Sequence, residues 1–190
     1  MAPRHKTTSD KESGMPSVPV TELKHYIGKD AECSDWLTIG QERINLFAEA
    51  TGDFQFIHVD PVKAAQTPFG ATIAHGFLSL SLIPKLMEGI MALPEGLKMA
   101  VYYGMDSVRF VQPVLVNSRV RLKVQLTEVT EKKPGQWLLN PILLSEYLDA
   151  QEGSCIGISK CLCIKAIATL EIEGQEKPAF VAEPLTLCFV

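Results

Sequence analysis

The densest group of potentially reactive side chains lies in the segment ATGDFQFIHVDP, between Ala50 and Pro61. Within it, Asp53 precedes His58 by five positions. An extended strand would separate their Cα atoms by roughly 16 Å, and a helix would turn His58 about 140° away from Asp53. Only a curled loop brings both side chains to one small molecule. In such a loop Asp53 is an ionised acceptor and His58 titrates near neutral pH, so the pair is suited to moving a proton of one water molecule.

The same two residues also have a structural interpretation. An aspartate that follows Gly52 commonly ends a helix or forms a turn, and a histidine beside Phe56 and Ile57 commonly packs as a partly buried side chain. From the residues alone, both interpretations of Asp53 and His58 stay open.

The second candidate cluster is the segment PFGATIAHGF, in which Gly76 precedes the most apolar stretch of the chain. The N–H groups at a helix start are unpaired and carry partial positive charge, so they can bind a carbonyl oxygen that gains negative charge. Gly76 has no side chain and would let such a ligand approach, but close packing of the helix against a sheet explains this glycine equally well. His75 can cap or pack at the same place without taking part in chemistry.

The elements that must position these residues follow from the hydrophobic pattern. Thr38 and Gln41 have the spacing of a capping box, and the apolar side chains that follow share one helical face. The pattern therefore predicts a helix over residues 39–50, which Gly52 ends. Asp60, followed by a proline, predicts the start of a short second helix over VKAAQ.

The remaining elements are one buried helix and a set of strands. The segment AHGFLSLSLIPKLMEGIMAL is apolar on nearly every side, so it predicts a buried helix that Pro84 kinks or breaks. Four long strands are predicted after Pro94, in MAVYYGMDSVRFVQPVL, SRVRLKVQLTEVT, KCLCIKAIATLEIEG and PAFVAEPLTLCFV. A buried helix followed by antiparallel strands is typical of an α+β domain in which a curved sheet wraps one helix.

The composition excludes several classes of function. The 18 basic and 22 acidic side chains give a net charge of -4, which is too little positive charge for binding nucleic acid. The 5 cysteines include no CxxC pair, so we expect neither disulfides nor a zinc site. The N-terminus lacks the long apolar stretch of a signal peptide, so we expect a reducing, cytoplasmic location. No segment has the roughly 18 consecutive apolar residues of a membrane-spanning helix, so we expect no membrane insertion.

Three motifs in order, GDFQFIHVDP, FGATIAHGFL and YGMDSVRFVQPV, resemble the MaoC-like dehydratase family, which includes (R)-specific enoyl-CoA hydratases and nodulation protein N-like members. The resemblance covers about residues 37–128 and is looser over the last strands. It implies a hot-dog fold, in which a curved antiparallel sheet wraps around a long central helix, and a homodimer. It also implies reversible addition of water to a trans-2-enoyl thioester of coenzyme A or an acyl carrier protein, giving a 3-hydroxyacyl thioester. No metal or redox cofactor is implied.

The resemblance assigns roles to individual residues. Asp53 and His58 fall on the catalytic pair of the family, which holds and activates the water. The N–H of Gly76 would polarise the thioester carbonyl. Gln55 stands where hydratases commonly have asparagine, and His75 directly precedes the helix-start glycine, so both are expected among the substrate-binding residues.

The domain organisation predicted from the 190 residues is a flexible N-terminal tail, residues 1–20, and a single domain, residues 21–190. The domain carries an unusual insertion at about 133–162, where the family generally has a short turn. Its apolar half, residues 137–144, is expected to pack on the sheet or at the dimer interface, and its acidic half is expected to be exposed.

Two other functions fit the same sequence. A hot-dog thioesterase would also use a carboxylate and the helix-start N–H, but it would attack the carbonyl carbon and release a free thiol. The other possibility is a binding protein in which the altered loop, with Gln55 and Phe56 in place of the usual Asn-Pro, has lost catalysis. Such a protein would bind acyl thioesters without converting them.

Overall fold

The computed structural model describes residues 17–29, 32–132 and 160–190. Its strands are β1 Ser17–Val18, β2 Glu32–Cys33, β3 Leu37–Thr38, β4 Leu93–Pro94, β5 Met99–Phe110, β6 Arg119–Lys132, β7 Cys161–Ile172 and β8 Phe180–Phe189. Its α-helices are α1 Val20–Leu23, α2 Gln41–Thr51, α3 Phe56–Val59, α4 Pro61–Ala64, α5 Gly76–Ser81 and α6 Ile83–Met87, and a 3-10 turn spans Lys24–Tyr26.

The main sheet is antiparallel, in the order β2, β6, β7, β8, β5, and β3 also pairs with β6. The four long strands are those that the sequence predicts, and the curved sheet encloses α5 and α6. Among the described strands, β5 lies at the edge of the sheet and pairs with β8 alone. Its register shifts twice, between Tyr102 and Gly104 and between Met105 and Val108. Such bulges bend a strand, so β5 curves over the central helices.

The core follows from the alternation of side chains along the long strands. On β6, Val120, Leu122 and Val124 are buried, whereas Arg121 and Lys123 between them point to the outer face. The inner face packs against the apolar side chains of α5 and α6, and Phe180 of β8, in the same cluster, is fully buried. This packing holds the start of α5 against the sheet.

The long central helix that the sequence predicts is two short helices. α5 ends at Ser81, Leu82 caps its end and is also the residue before α6, and Pro84 lies in the first turn of α6. Proline lacks an N–H and is compatible with the first turn of a helix but not with its interior, so the chain restarts the helix at this point. The predicted break at Pro84 is confirmed, and the predicted length of a single helix is wrong.

The predicted ends of the other helices are mostly confirmed. Gly52 ends α2 with a left-handed φ of 76° and donates its N–H to the Ala48 carbonyl. Asp60 caps α4, because its side chain accepts the N–H groups of the next residues. The capping box is wrong: Thr38 belongs to β3, and Gly40 precedes α2 without a side-chain cap.

Two predicted domain boundaries need correction. Residues 17–18 pair with Leu93–Pro94, and Val18 is buried. The C-terminal boundary of the predicted tail, residues 1–20, therefore lies too far along the chain. Residues 1–16 lie outside the described residues. Most of the predicted insertion at 133–162, including both of its halves, also lies outside them, but residues 161–162 belong to β7.

Within the described ranges, no helix combines the length and the apolar character needed to cross a membrane.

Candidate active site

The loop between α2 and α3 curls as the spacing of Asp53 and His58 requires. Gly52 reverses the chain, and the Asp53 carboxylate accepts the N–H of Gln55 at 3.4 Å. The Gln55 carbonyl accepts the N–H of His58 at 2.9 Å, which starts α3. Short hydrogen-bonded turns therefore bring Asp53 and His58 together instead of leaving them at opposite ends of a strand.

His58 is buried, and its protonation follows from its hydrogen bond. Its Nδ1 lies 2.7 Å from the Ile73 carbonyl oxygen, which can only accept, so Nδ1 carries the proton and Nε2 keeps a lone pair. Burial lowers the pKa of His58 from its usual 6.5, and His75 lowers it further, whereas the Ile73 carbonyl and Asp53 oppose the shift. His58 is therefore neutral at pH 7 and can act as a base.

His75 joins Asp53 and His58 into one cluster. Its ring stacks on the His58 ring with 3.8 Å between centroids and 28° between planes, and Phe47 packs at 5.0 Å. Its Nε2 lies 3.0 Å from the Asp53 carbonyl oxygen and donates to it. The other nitrogen, Nδ1, is buried without a hydrogen-bond partner among the described residues. His75 thus fixes the backbone of Asp53 relative to the His58 ring.

One potential ligand atom from each of Asp53, His58 and His75 lies within 4.8 Å of the other two. A metal ion needs lone pairs that converge on one point. His58 Nδ1 and His75 Nε2 are already engaged with backbone carbonyl oxygens. That the site works without a metal stays a prediction.

Two further residues, Gln41 and Thr72, support the cluster, although the sequence does not indicate them as site residues. Gln41 donates from Nε2 to the His58 carbonyl at 2.7 Å, and the buried hydroxyl of Thr72 donates to Gln41 Oε1. The sequence indicates Gln41 only as part of a capping box. Its side chain instead reaches across to α3, and no local pattern indicates that contact.

A cavity of about 370 Å³ lies beside His58. Its walls include Gly76 and Ser79 of α5 and Phe110 of β5. A Cβ atom at Gly76 would lie 3.0 Å from the Phe110 ring, so this ring already occupies the space that the missing side chain leaves. Close packing therefore explains why position 76 is glycine, and the predicted approach of a ligand to Gly76 stays a prediction.

The structure brings the predicted site residues together unequally. His58 and Gly76 line the cavity, and Asp53 and His75 join the cluster beside it. Gln55 contributes its backbone to the loop, but its side chain is exposed and does not line the cavity.

Comparison with solved structures defines the class of fold. The unliganded R-hydratase PhaJ1 from Pseudomonas aeruginosa superposes with a TM-score of 0.59 at 20% identity, covering 90% of this chain and 86% of that one. The (R)-hydratase from Aeromonas caviae gives a TM-score of 0.56 at 24% identity, covering 83% and 95%. The architecture is a hot-dog fold, as the sequence predicts.

Sequence comparison identifies the family within this class. The model of the MaoC like domain matches residues 22–137. The 3-hydroxyacyl-thioester dehydratase Z of Mycobacterium tuberculosis is 40% identical over 166 residues, which cover 87% of this chain and 93% of that protein. Nodulation protein N of Rhizobium meliloti is 36% identical over 169 residues, covering 88% and 89%. The chain belongs to the MaoC-like dehydratase family.

Proposed function

We propose that this protein is a hydratase or dehydratase that interconverts trans-2-enoyl and 3-hydroxyacyl thioesters by reversible addition of water. The observation that carries the proposal is that a buried, neutral His58 and Asp53 place potential ligand atoms within 4.8 Å of each other, beside a cavity that α5 also lines. The names of the similar proteins, a 3-hydroxyacyl-thioester dehydratase and an (R)-specific enoyl-CoA hydratase, support the same reaction.

In the proposed mechanism, Asp53 and His58 hold one water molecule between the carboxylate and Nε2. In hydration, the water oxygen forms a bond to the β-carbon of the enoyl group while this pair removes one of its protons. A proton is then delivered to the α-carbon, so one water is consumed and the thioester stays intact. The N–H of Gly76 has no partner within α5, because it opens the helix, and it donates to the thioester carbonyl as that oxygen gains charge.

His75 acts in this proposal as a positioning residue and not, as the sequence suggested, by binding substrate. Its hydrogen bond to the Asp53 carbonyl and its stack on His58 hold the two catalytic groups at a fixed separation. Gln41 supports His58 from the other side through the His58 carbonyl. Reacting groups held in this way avoid the loss of rate that comes from small displacements.

We further propose that the protein is a cytoplasmic homodimer. The free edge of β5 exposes large apolar side chains, among them Met99, Val101 and Tyr103, which a second copy would cover. The reaction needs no metal or redox cofactor, and the acyl group is carried by coenzyme A or by an acyl carrier protein, which would then be a partner.

The experiment is hydration of crotonyl-CoA by the purified protein, followed by loss of the conjugated enoyl absorbance. Asp53→Asn and His58→Gln should each lower kcat by roughly a hundred to ten-thousand fold while the circular dichroism spectrum stays that of the wild type. Asp35→Asn and His25→Gln change the same residue types at exposed positions of the described chain and are the matched controls.

The products decide between the candidate functions. Release of free coenzyme A without a hydrated intermediate would identify a thioesterase. Binding of crotonyl-CoA without turnover would identify a binding protein, and full activity in either catalytic variant would reject the assigned pair.

A further inference from the structure

Ser79 brings a buried hydroxyl group to the catalytic cavity. Its side chain is 2% exposed, and it lines the cavity together with His58. The other walls are mostly carbon, and Gln112, which also lines the cavity, donates its amide Nε2 to the Lys177 carbonyl at 2.7 Å. His58 and Ser79 are therefore the buried polar side chains through which these walls can bind a polar atom of the substrate.

The hydrogen bond that the Ser79 hydroxyl makes within the protein is weak. Its Oγ lies 3.4 Å from the His75 carbonyl oxygen, beyond the roughly 2.5–3.0 Å that is usual between two oxygen atoms. The same carbonyl already accepts the backbone N–H of Ser79 at 3.1 Å. By contrast, Ser81 Oγ on the same helix donates to the Leu78 carbonyl at 2.7 Å. The buried Ser79 hydroxyl therefore keeps most of its capacity to donate to a ligand oxygen.

The position of Ser79 on α5 matches the place where the reacting oxygen must lie. Ser79 follows Gly76 by three residues, so both lie on one face of α5, about 4.5 Å apart along its axis. In the proposed function, Gly76 binds the thioester carbonyl oxygen. The β-carbon is two bonds from the carbonyl carbon, so an oxygen on it comes within reach of a group one helical turn further along. Since His58 borders the same cavity, this oxygen can contact His58 and Ser79 together.

We propose that the Ser79 hydroxyl donates a hydrogen bond to the oxygen that is added to the β-carbon, which is the water in hydration and the 3-hydroxyl group in the reverse reaction. The inference rests on the proposed function and identifies Ser79 as a third group, beside Asp53 and His58, that holds this oxygen. Ser79 keeps its own proton throughout, so the proton balance of the reaction is unchanged. The contact favours thioesters with a 3-hydroxyl group over those with an unsubstituted acyl chain by about three- to tenfold, the factor of one neutral hydrogen bond.

The first test compares hydration of crotonyl-CoA by single variants. Ser79→Ala should lower kcat/KM by about three- to tenfold without lowering Tm, because the long bond that it removes contributes little to the fold. Ser79→Cys keeps a side chain of similar size with a weak donor, and it should lose activity to a similar extent. Ser81→Ala is the matched control on the same helix; it removes a hydroxyl that is bonded to the Leu78 carbonyl and should retain the activity.

The second test measures binding by isothermal titration calorimetry, with catalysis suppressed by Asp53→Asn. In this background the wild-type serine should bind 3-hydroxybutyryl-CoA more tightly than butyryl-CoA. Adding Ser79→Ala should reduce this preference by about three- to tenfold and leave the Kd of butyryl-CoA unchanged.

The outcomes separate the two proposals. Full hydration activity in Ser79→Ala, or equal weakening of both ligands, would show that Ser79 does not contact the reacting oxygen and would overturn the inference while the proposed function stands. Inactivity of the wild type on crotonyl-CoA would reject the proposed function, and the role of Ser79 with it.

Discussion

Replacing His75 by leucine should slow the enzyme without making it less stable. The change removes the hydrogen bond from Nε2 to the Asp53 carbonyl, which stabilises the fold by about 1 kcal/mol. It also removes the buried, unpartnered Nδ1, whose desolvation costs about 1–3 kcal/mol. Leucine has nearly the volume of histidine, so the free energy of unfolding should stay the same or rise by up to about 2 kcal/mol.

The effect on turnover has the opposite sign. Without the bond from His75, the Asp53 backbone is no longer fixed relative to His58, and kcat should fall about tenfold, which corresponds to about 1.4 kcal/mol of lost positioning. His75→Gln places an amide N–H near the position of Nε2 and should retain most of kcat. Because the stacked imidazole lowers the pKa of His58, the acidic limb of the profile of kcat/KM against pH should move to higher pH in both variants.

Three measurements check this reasoning: urea unfolding, kcat on crotonyl-CoA, and the pH profile. Loss of 2 kcal/mol or more in His75→Leu, with kcat per folded molecule unchanged, would refute it, because His75 would then be an ordinary core residue. If the acidic limb of the pH profile lies at the same pH in the wild type, His75→Leu and His75→Gln, the stacked His75 ring does not lower the pKa of His58.

Three further predictions concern the supporting structure. Gly76→Ala should destabilise the fold by about 1–3 kcal/mol, because the new Cβ meets the Phe110 ring at 3.0 Å, and Phe110→Leu should relieve most of this loss in a double-mutant cycle of thermal melts. Gln41→Leu leaves the Thr72 hydroxyl without its acceptor and should cost about 1–3 kcal/mol in urea unfolding and lower kcat as well. Deleting residues 1–20 should lower Tm because it removes β1, whereas deleting residues 1–16 should not; an equal Tm for both deletions would contradict this.

Local patterns in the sequence predict those elements whose formation depends on neighbouring residues in the chain. The alternation in RVRLKVQL predicts β6, Gly52 predicts the end of α2, and Asp60 predicts the start of α4, because strand pleating and helix caps involve only adjacent residues. The same local logic predicted that Asp53 and His58 need a curled loop.

The cluster itself is built by contacts between residues that are far apart in the chain. His75 meets the Asp53 carbonyl from 22 positions away, and Gln41 reaches the His58 carbonyl from 17 positions away. Phe110 fills the space at Gly76 from a different strand. No periodicity or capping pattern encodes such contacts, because they depend on how the sheet closes over α5 and on which side chains then compete for the same space. The sequence therefore indicates Asp53, His58, His75 and Gly76 as site residues without separating their roles. The packing of the fold shows that His58 and Gly76 line the cavity, whereas His75 holds the Asp53 backbone in place.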